Sequence, residues 1–346
     1  GDTLPGMTQA LSADVFSEPD RYLRVWFSSD NVTFDQLTPD TRIAAVPYAL
    51  QAQEAVDADT VDGLHASQLG THYQNVVIVA KSGGDYTGVQ AAIDSISDAA
   101  ADNPYLVWVA PGVYSETVTM KPYVHLQGAG QDATVITSTA SNSAWPPAQA
   151  TLTLASDASL RDLTVGNSGT GSRNVALLAT AGMTRTLAAD VTARAQGDGT
   201  RNYAIFLIGS GTSVRLQQLT ALAENGRYNH GLVNYSGAAA ILRGGDFTAR
   251  GGIEARGIGI ADSDTTLEAV GVTALAENGS NYNQGLRNET GAAATLRGGS
   301  FTARGGAYAY GIYNADSDTT LDAESITALG ENGSSNYGLY NDTGAM

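Results

Sequence analysis

In the C-terminal half of the chain the apolar residues come in short runs, such as Ala294–Leu296 and Ser325–Ala328, each cut off by Gly, Asn, Asp or Ser. Helical repeats would need apolar residues at i, i+3 and i+4 over about a dozen residues. Short runs between turn-forming residues predict strands of about three to five residues instead. The runs also recur. TALAENG stands at 220–226 and 273–279, TALGENG at 327–333, and FTARGG at 247–252 and 301–306, a long period of about 54 residues. It halves into two related units. Thr164, Thr192, Thr220, Thr248, Thr273, Thr302 and Thr327 are spaced 28, 28, 28, 25, 29 and 25 residues apart. A second marker keeps the same beat, with Gly-Leu or Gly-Ile at Gly231, Gly257, Gly285, Gly311 and Gly338.

Units this short cannot bury their apolar side chains alone, so they must stack. The leucine framework of a leucine-rich repeat is missing. The fold expected is all-β, a right-handed parallel β-helix with one coil per 25–29 residues. At ~4.8 Å per coil, about nine or ten coils make a rod of ~45 Å. Asn234, Asn288, Asn314 and Asn341 follow the Gly marker at one fixed distance. Stacked amides there can bond to one another and to turn backbone. Ile260 takes that place in one coil and interrupts the ladder.

Composition narrows the partners. The 346 residues carry 18 Lys+Arg against 35 Asp+Glu, a net charge of −17. A field of that sign argues against nucleic acid and against charge-driven adhesion to anionic membranes. No apolar run approaches the ~18 residues of a membrane span. The absence of cysteine excludes disulfides and thiol chemistry and fits an extracellular bacterial protein held together by stacking. The first residues, GDTLPG, are no signal peptide, and the chain stops at Met346 in mid-coil. A continuation, or another chain, is expected to cover the open sheet edge there.

Three segments carry resemblances. Residues 37–52, LTPDTRIAAVPYALQA, resemble a segment of large bacterial secreted and surface proteins that closes a small β-sandwich, with Asp40 where Arg is common. Residues 59–67, DTVDGLHAS, resemble a neck motif of phage tail-fibre-like and bacterial surface proteins, which are often trimers. Residues 76–96 and 105–138 resemble the first coils of pectinesterase-like and pectate-lyase-like β-helices. That likeness implies a short capping helix within 85–93, first core strands at 107–110 and 113–114, and a PGxYxE turn at Pro111–Glu116. The domains expected are a partial sandwich at 1–50, a neck at 51–74 with a helix from near Tyr48 to about Val56, and the β-helix at 75–346.

The resemblance does not extend to pectinesterase chemistry. The family's D-F-I-F-G string and its G-R-P-W arginine motif are both absent. A glycosidase would need two carboxylates on one face. Glu224, Glu277 and Glu331 recur, but two coils apart, as solvated turn residues would. No catalytic residue is assigned.

Metal and ligand candidates remain. Asp262, Asp264, Asp316 and Asp318 form D-x-D turns that can offer oxygens to calcium, the one cofactor the pattern suggests, although loop capping explains them as well. His65 and His72 lie in the neck, where a trimer would bring three imidazoles to one axis; a hydrogen-bonded neck histidine is the plainer reading. His125 alternates with Val124 and Leu126 and is expected to face outward. The loops 227–230, 281–284, 307–310 and 335–337 place Tyr228, His230, Tyr282, Gln284, Tyr310 and Tyr337 at related points of successive coils. Rings and amides in a row suit a glycan, while a tyrosine ladder packed on itself is the competing reading. The function expected is a non-catalytic structural or adhesive β-helix at the cell surface or outside the cell. It would self-associate as a homotrimer or as a head-to-tail filament. A polysaccharide-processing enzyme and a glycan-binding module are the alternatives.

Overall fold

The short apolar runs form strands, and in the later coils residues with positive φ turn the chain at the corners between them. In the computed structural model the described residues are 22–30, 32–42, 60–61, 64–65, 73, 75–342 and 344–345. The chain divides into two compact units, 1–72 and 73–346. In the first, Tyr22–Phe27 runs antiparallel to Asp35–Arg42. Asp40 takes up the Arg24 guanidinium through Arg24 Nη2 at 2.7 Å. Thr60–Val61 pairs with Leu64–His65. The helix expected over 48–56 lies outside the described residues.

The second unit is a parallel β-helix of about ten turns with a 17-stranded and a nine-stranded sheet. The 17-stranded sheet bends along its length. Ser159–Asn167 and Thr186–Ala195 run through the bend, while later coils break there into two strands, such as Ser213–Gln217 and Thr220–Ala223. Residues with positive φ make the bend in each coil: Asp162, Asp190, Gln218, Gly244 with Gly245, Gly271, Gly298 with Gly299, and Ser325. That is why LRGG recurs, since glycine adopts this conformation without penalty. Asn225, Gly251, Asn278, Gly305 and Asn332 make the next corner, and Ser236, Asp262, Thr290 and Asp316 the third.

In-register stacking explains the sequence markers. Each Gly231-type glycine lies against the next coil; a Cβ on Gly231 would fall 2.6 Å from Gly257 O, and one on Gly285 2.5 Å from Gly311 O. The threonine beat is less regular because Thr248 and Thr302 are not stacking partners of the others. Thr220 stacks on Asp246, then Thr273, Ser300 and Thr327, steps of 26, 27, 27 and 27 residues. Inside, Phe247 and Phe301 alternate with Ala221, Ala274 and Ala328, a large–small packing that fills a narrow core. Outside, Arg250, Glu277, Arg304 and Glu331 stack in register. Arg250 Nε donates to Glu277 at 2.7 Å and Arg304 Nε to Glu331 at 2.6 Å. Glu277 and Glu331 therefore end strands in a ladder of alternating charge and are not free turn residues. Opposite charges favour this arrangement and like charges would oppose it. The period of the sequence is thus two coils although one coil is the structural unit.

The amide ladder forms as expected. Asn288 Nδ2 donates to Asn314 Oδ1 at 2.8 Å, and Asn314 Nδ2 to Asn341 Oδ1 at 3.2 Å. Asn234 and Asn288 both flank Ile260 in register. At the first coils, helix α1 (Val89–Ser95) buries Val89, Ala92 and Ile93. Its N-cap, Gly88, has no side chain to cap it, and the Glu116 carboxylate accepts Val89 N at 2.8 Å and Gln90 N at 2.9 Å instead. The glutamate of the PGxYxE turn is thus a helix cap reached from the next coil. Both lysines are structural. Lys121 Nζ donates to Ile96 O at 2.9 Å at the C-terminal end of α1, and Lys81 Nζ sits 4.0 Å from the Tyr114 ring centroid.

Candidate functional site

The outer face of the nine-stranded sheet gathers the chain's unusual side chains. From Asn174 on, an amide or an alanine stands near the start of each strand, buried in every coil but the last. Asn174, Asn202, Asn229, Ala255, Asn283, Ala309 and Asn336 stack in register. These anchors hold the residues beside them in two outward columns. The first runs Arg173, Arg201, Tyr228, Glu254, Tyr282, Tyr308. The second runs Tyr203, His230, Arg256, Gln284, Tyr310, Tyr337.

All six ligand candidates of the sequence therefore lie on one face. They are on strands, not on loops: Tyr228–Tyr235, Tyr282–Glu289, Tyr308–Asn314 and Ser335–Asn341. Asn and Gly read as turn residues in the sequence. Here the asparagines bond into turn backbone, as Asn229 Nδ2 does to Gly226 O at 2.8 Å, and the glycines permit close stacking.

The face changes character along the solenoid. Near the first coils it is apolar: Val175, Leu178, Tyr203, Phe206 and Val233 form a second core cluster. Trp145, from the segment before Leu152, meets Phe206 edge-on at 5.4 Å. In the middle it is ionic. Arg256 pairs with Glu254, and Arg287 with Glu289 and, at 3.7 Å, with Glu254. Arg256 Nε also donates to Gln284 Oε1 at 3.1 Å. His230 is 5% exposed in this surround, and its Nδ1 has no partner. Burial first, then the nearby Arg256, Arg287 and Arg201, push its pKa well below the ordinary value, so the imidazole is neutral.

Toward the last coils the face is tyrosine. Tyr282 and Tyr308 stack at 5.1 Å, Tyr310 and Tyr337 at 5.2 Å, and Tyr313 and Tyr340 at 5.5 Å. The tyrosine ladder does pack on itself. These ring faces are turned to one another, leaving edges and hydroxyls for the solvent side. Burial first, then the neighbouring tyrosines, push the Tyr310 phenol up to about 12. Sequence reasoning missed Glu254, Arg256, Arg287, Glu289 and Tyr313, although the Gly marker places them: Arg256 immediately precedes Gly257, as His230 precedes Gly231.

The remaining candidates sit elsewhere. Asp262 and Asp316 are corner residues; Asp262 accepts Ser236 Oγ at 3.0 Å, and Asp316 accepts Thr290 N at 3.2 Å. Asp264 and Asp318 share the same two turns, also with positive φ. Among the described residues no three potential metal-ligating side chains come together. His65 pairs through its backbone with Thr60, and His72 lies outside the described residues. His125 points away from the core but is half-buried, with Nδ1 2.9 Å from Ser159 Oγ and its ring 5.0 Å from Tyr73. A groove beside α1 is lined by Ser115, Thr117, Thr137, Thr139, Ser168 and Gln149, and its carboxylate, Glu116, is committed to the helix cap.

Comparison with known proteins agrees with this architecture. Residues 75–209 match the pectinesterase family model. No curated protein matches the chain. Among solved structures, a pectin methylesterase from carrot is 17% identical, with 80% of this chain and 84% of that one covered and a TM-score of 0.47. The pectin methylesterase PemA from Erwinia chrysanthemi is 16% identical, covering 74% and 81%, with a TM-score of 0.38. The ORF18 protein of Geobacillus virus E2 is 13% identical, covering 93% and 66%, with a TM-score of 0.42. The chain carries a pectinesterase-like parallel β-helix.

Proposed function

We propose that this chain is a non-catalytic, extracellular β-helix that holds a polysaccharide along the outer face of its nine-stranded sheet, as part of a surface fibre or filament. The observation that carries the reading is the convergence of Tyr228, His230, Tyr282, Gln284, Tyr310 and Tyr337 in two adjacent columns. Successive coils repeat every ~4.8 Å, so the exposed Tyr282, Tyr308 and Tyr337 offer a row of phenol groups to a linear chain of hydroxyls, with His230, Gln284 and Tyr310 buried beside them. Since the stacked rings already cover one another, contact is through hydroxyls and edges. The matched family region lacks the two family strings tied to catalysis, and the ionic cluster pairs both of its carboxylates with guanidiniums.

The test is a polysaccharide panel with the triple variant Tyr282→Phe, Tyr308→Phe, Tyr310→Phe, which keeps the stack and removes the hydroxyls. Binding is expected to fall by about tenfold or more with the fold intact, in line with the loss of several hydrogen bonds. Unchanged binding would overturn the reading. The family match favours one other reading, an esterase. It predicts methanol release from methyl-esterified pectin, whereas the reading adopted here predicts none.

A further inference from the structure

Six arginines of the solenoid form no ion pair among the described residues: Arg161, Arg194 and Arg215 each stack between neutral residues of the 17-stranded sheet, whereas Arg173, Arg201 and Arg227 gather in one place. In the later coils each arginine faces acid: Arg243 pairs with Glu268, Arg250 with Glu277, Arg297 with Asp322 and Arg304 with Glu331. On the nine-stranded sheet, Arg173 instead stacks in register directly on Arg201, one coil away. Arg227 follows in the next coil, in the turn whose backbone N donates to Gly199 O at 3.2 Å. None of the three forms an ion pair among the described residues. Their guanidiniums lie against rings: Arg173 is 5.8 Å from the Trp145 centroid, and Arg201 and Arg227 are 4.9 and 5.6 Å from Tyr228. Arg173 Nη1 is further fixed by Ser143 O at 2.6 Å, while its Nε is buried without a partner.

Like charges directly opposite one another in a sheet are unfavourable. The chain carries 35 acidic side chains and could pair these arginines as it pairs Arg243, Arg250, Arg297 and Arg304. A repulsive stack left uncompensated, held in place by rings and backbone carbonyls, is an arrangement that an external anion completes. Guanidinium suits carboxylate and sulfate alike, because its planar donors match their paired oxygens.

We propose that Arg173, Arg201 and Arg227 form an anion-binding strip for an acidic polysaccharide, whose carboxylates or sulfates they take as the chain runs onto the tyrosine columns. This deepens the reading of the sheet as a polysaccharide-binding face and rests on it. The strip continues the first outward column, in which Tyr228, Glu254, Tyr282 and Tyr308 follow Arg201 coil by coil. The net charge of −17 repels polyanions from the rest of the surface, so binding is confined to this face and weakens with added salt.

The experiment titrates the whole chain with polygalacturonate, dextran sulfate and neutral dextran, and repeats each with Arg201→Gln and Arg227→Gln. At least one polyanion is expected to bind, and each variant to weaken it about tenfold, as the loss of a charge-assisted hydrogen bond does. The two polyanions distinguish carboxylate from sulfate. Without polysaccharide, Arg201→Gln is expected to leave the melting temperature unchanged or to raise it, since it removes the repulsion with Arg173. A lowered melting temperature would make Arg201 structural and overturn the proposal. Neutral dextran bound equally by wild type and variants would overturn the strip and leave the binding face standing. No binding of any of the three would overturn the strip, and the wider panel with the tyrosine variant then judges the face separately.

Discussion

A single amide shows how closely this solenoid is constrained. Where asparagine follows asparagine in the ladder, Nδ2 donates to the Oδ1 of the next coil, as Asn288 does to Asn314 at 2.8 Å and Asn314 to Asn341 at 3.2 Å. The Oδ1 atoms of Asn234 and Asn288 are buried and accept nothing. The cause is visible in the register: the coil before Asn234 places Leu207 there, and the coil before Asn288 places Ile260. Ile260→Asn should therefore supply the missing donor to Asn288 Oδ1, while Asn234 Nδ2 already donates to Ala238 O and Thr266 O. It loses the burial of an isoleucine but gains a bond to a group already desolvated, so the net cost is expected to be about 2 kcal/mol. Ile258→Asn, two residues away in the aliphatic ladder of Leu232, Ile258, Leu286 and Ile312, has no such partners and should cost about 4 kcal/mol or more. Denaturant unfolding of the two variants decides between them. Equal losses would contradict the amide account.

At the scale of the strand, pairing is decided by what stands one coil away. The Arg250–Glu277–Arg304–Glu331 ladder makes Glu277 the shared partner of two arginines, with Arg304 Nη1 also 3.9 Å from it. Glu277→Lys would put three like charges in one row and should destabilise the solenoid by about 1 kcal/mol, an effect that shrinks in high salt. Glu277→Gln should lose less than half of that. A Lys variant as stable as wild type at low salt would contradict the ladder. The same logic explains what the sequence revealed. The Gly-Leu marker and the Asn spacing are direct images of stacking, so the coil count and the amide ladder with its Ile260 fault were legible. The threonine beat misled because Thr248 and Thr302 stand two places along the strand from the stacking column. The Tyr and His segments read as loops because Asn and Gly beside them signal turns, whereas here they anchor strand starts. Glu254, Arg256, Arg287 and Glu289 passed as ordinary surface charges, since only the register shows that they meet.

For the molecule as a whole, stacking in register gathers tyrosines, buried ion pairs and a run of arginines on one face. In its later coils the 17-stranded sheet carries Arg–acid ladders, and its corners are tied by hydrogen bonds. The nine-stranded sheet keeps an unpaired arginine strip, a buried ionic cluster and two tyrosine columns. The pectinesterase-like coils at 75–209 supply the start of this scaffold, and the later repeats extend the same face. The central claim is that this face is where a polysaccharide lies. The most direct measurement is hydroxyl-radical footprinting of the whole chain with and without each polysaccharide of the panel. Tyr282, Tyr308 and Tyr337, which are 38, 37 and 39% exposed, are expected to be protected by at least one of them, while Trp26 and Phe34 of the N-terminal hairpin keep their reactivity. Unchanged reactivity of the three tyrosines across the panel, or protection confined to the hairpin, would contradict the account.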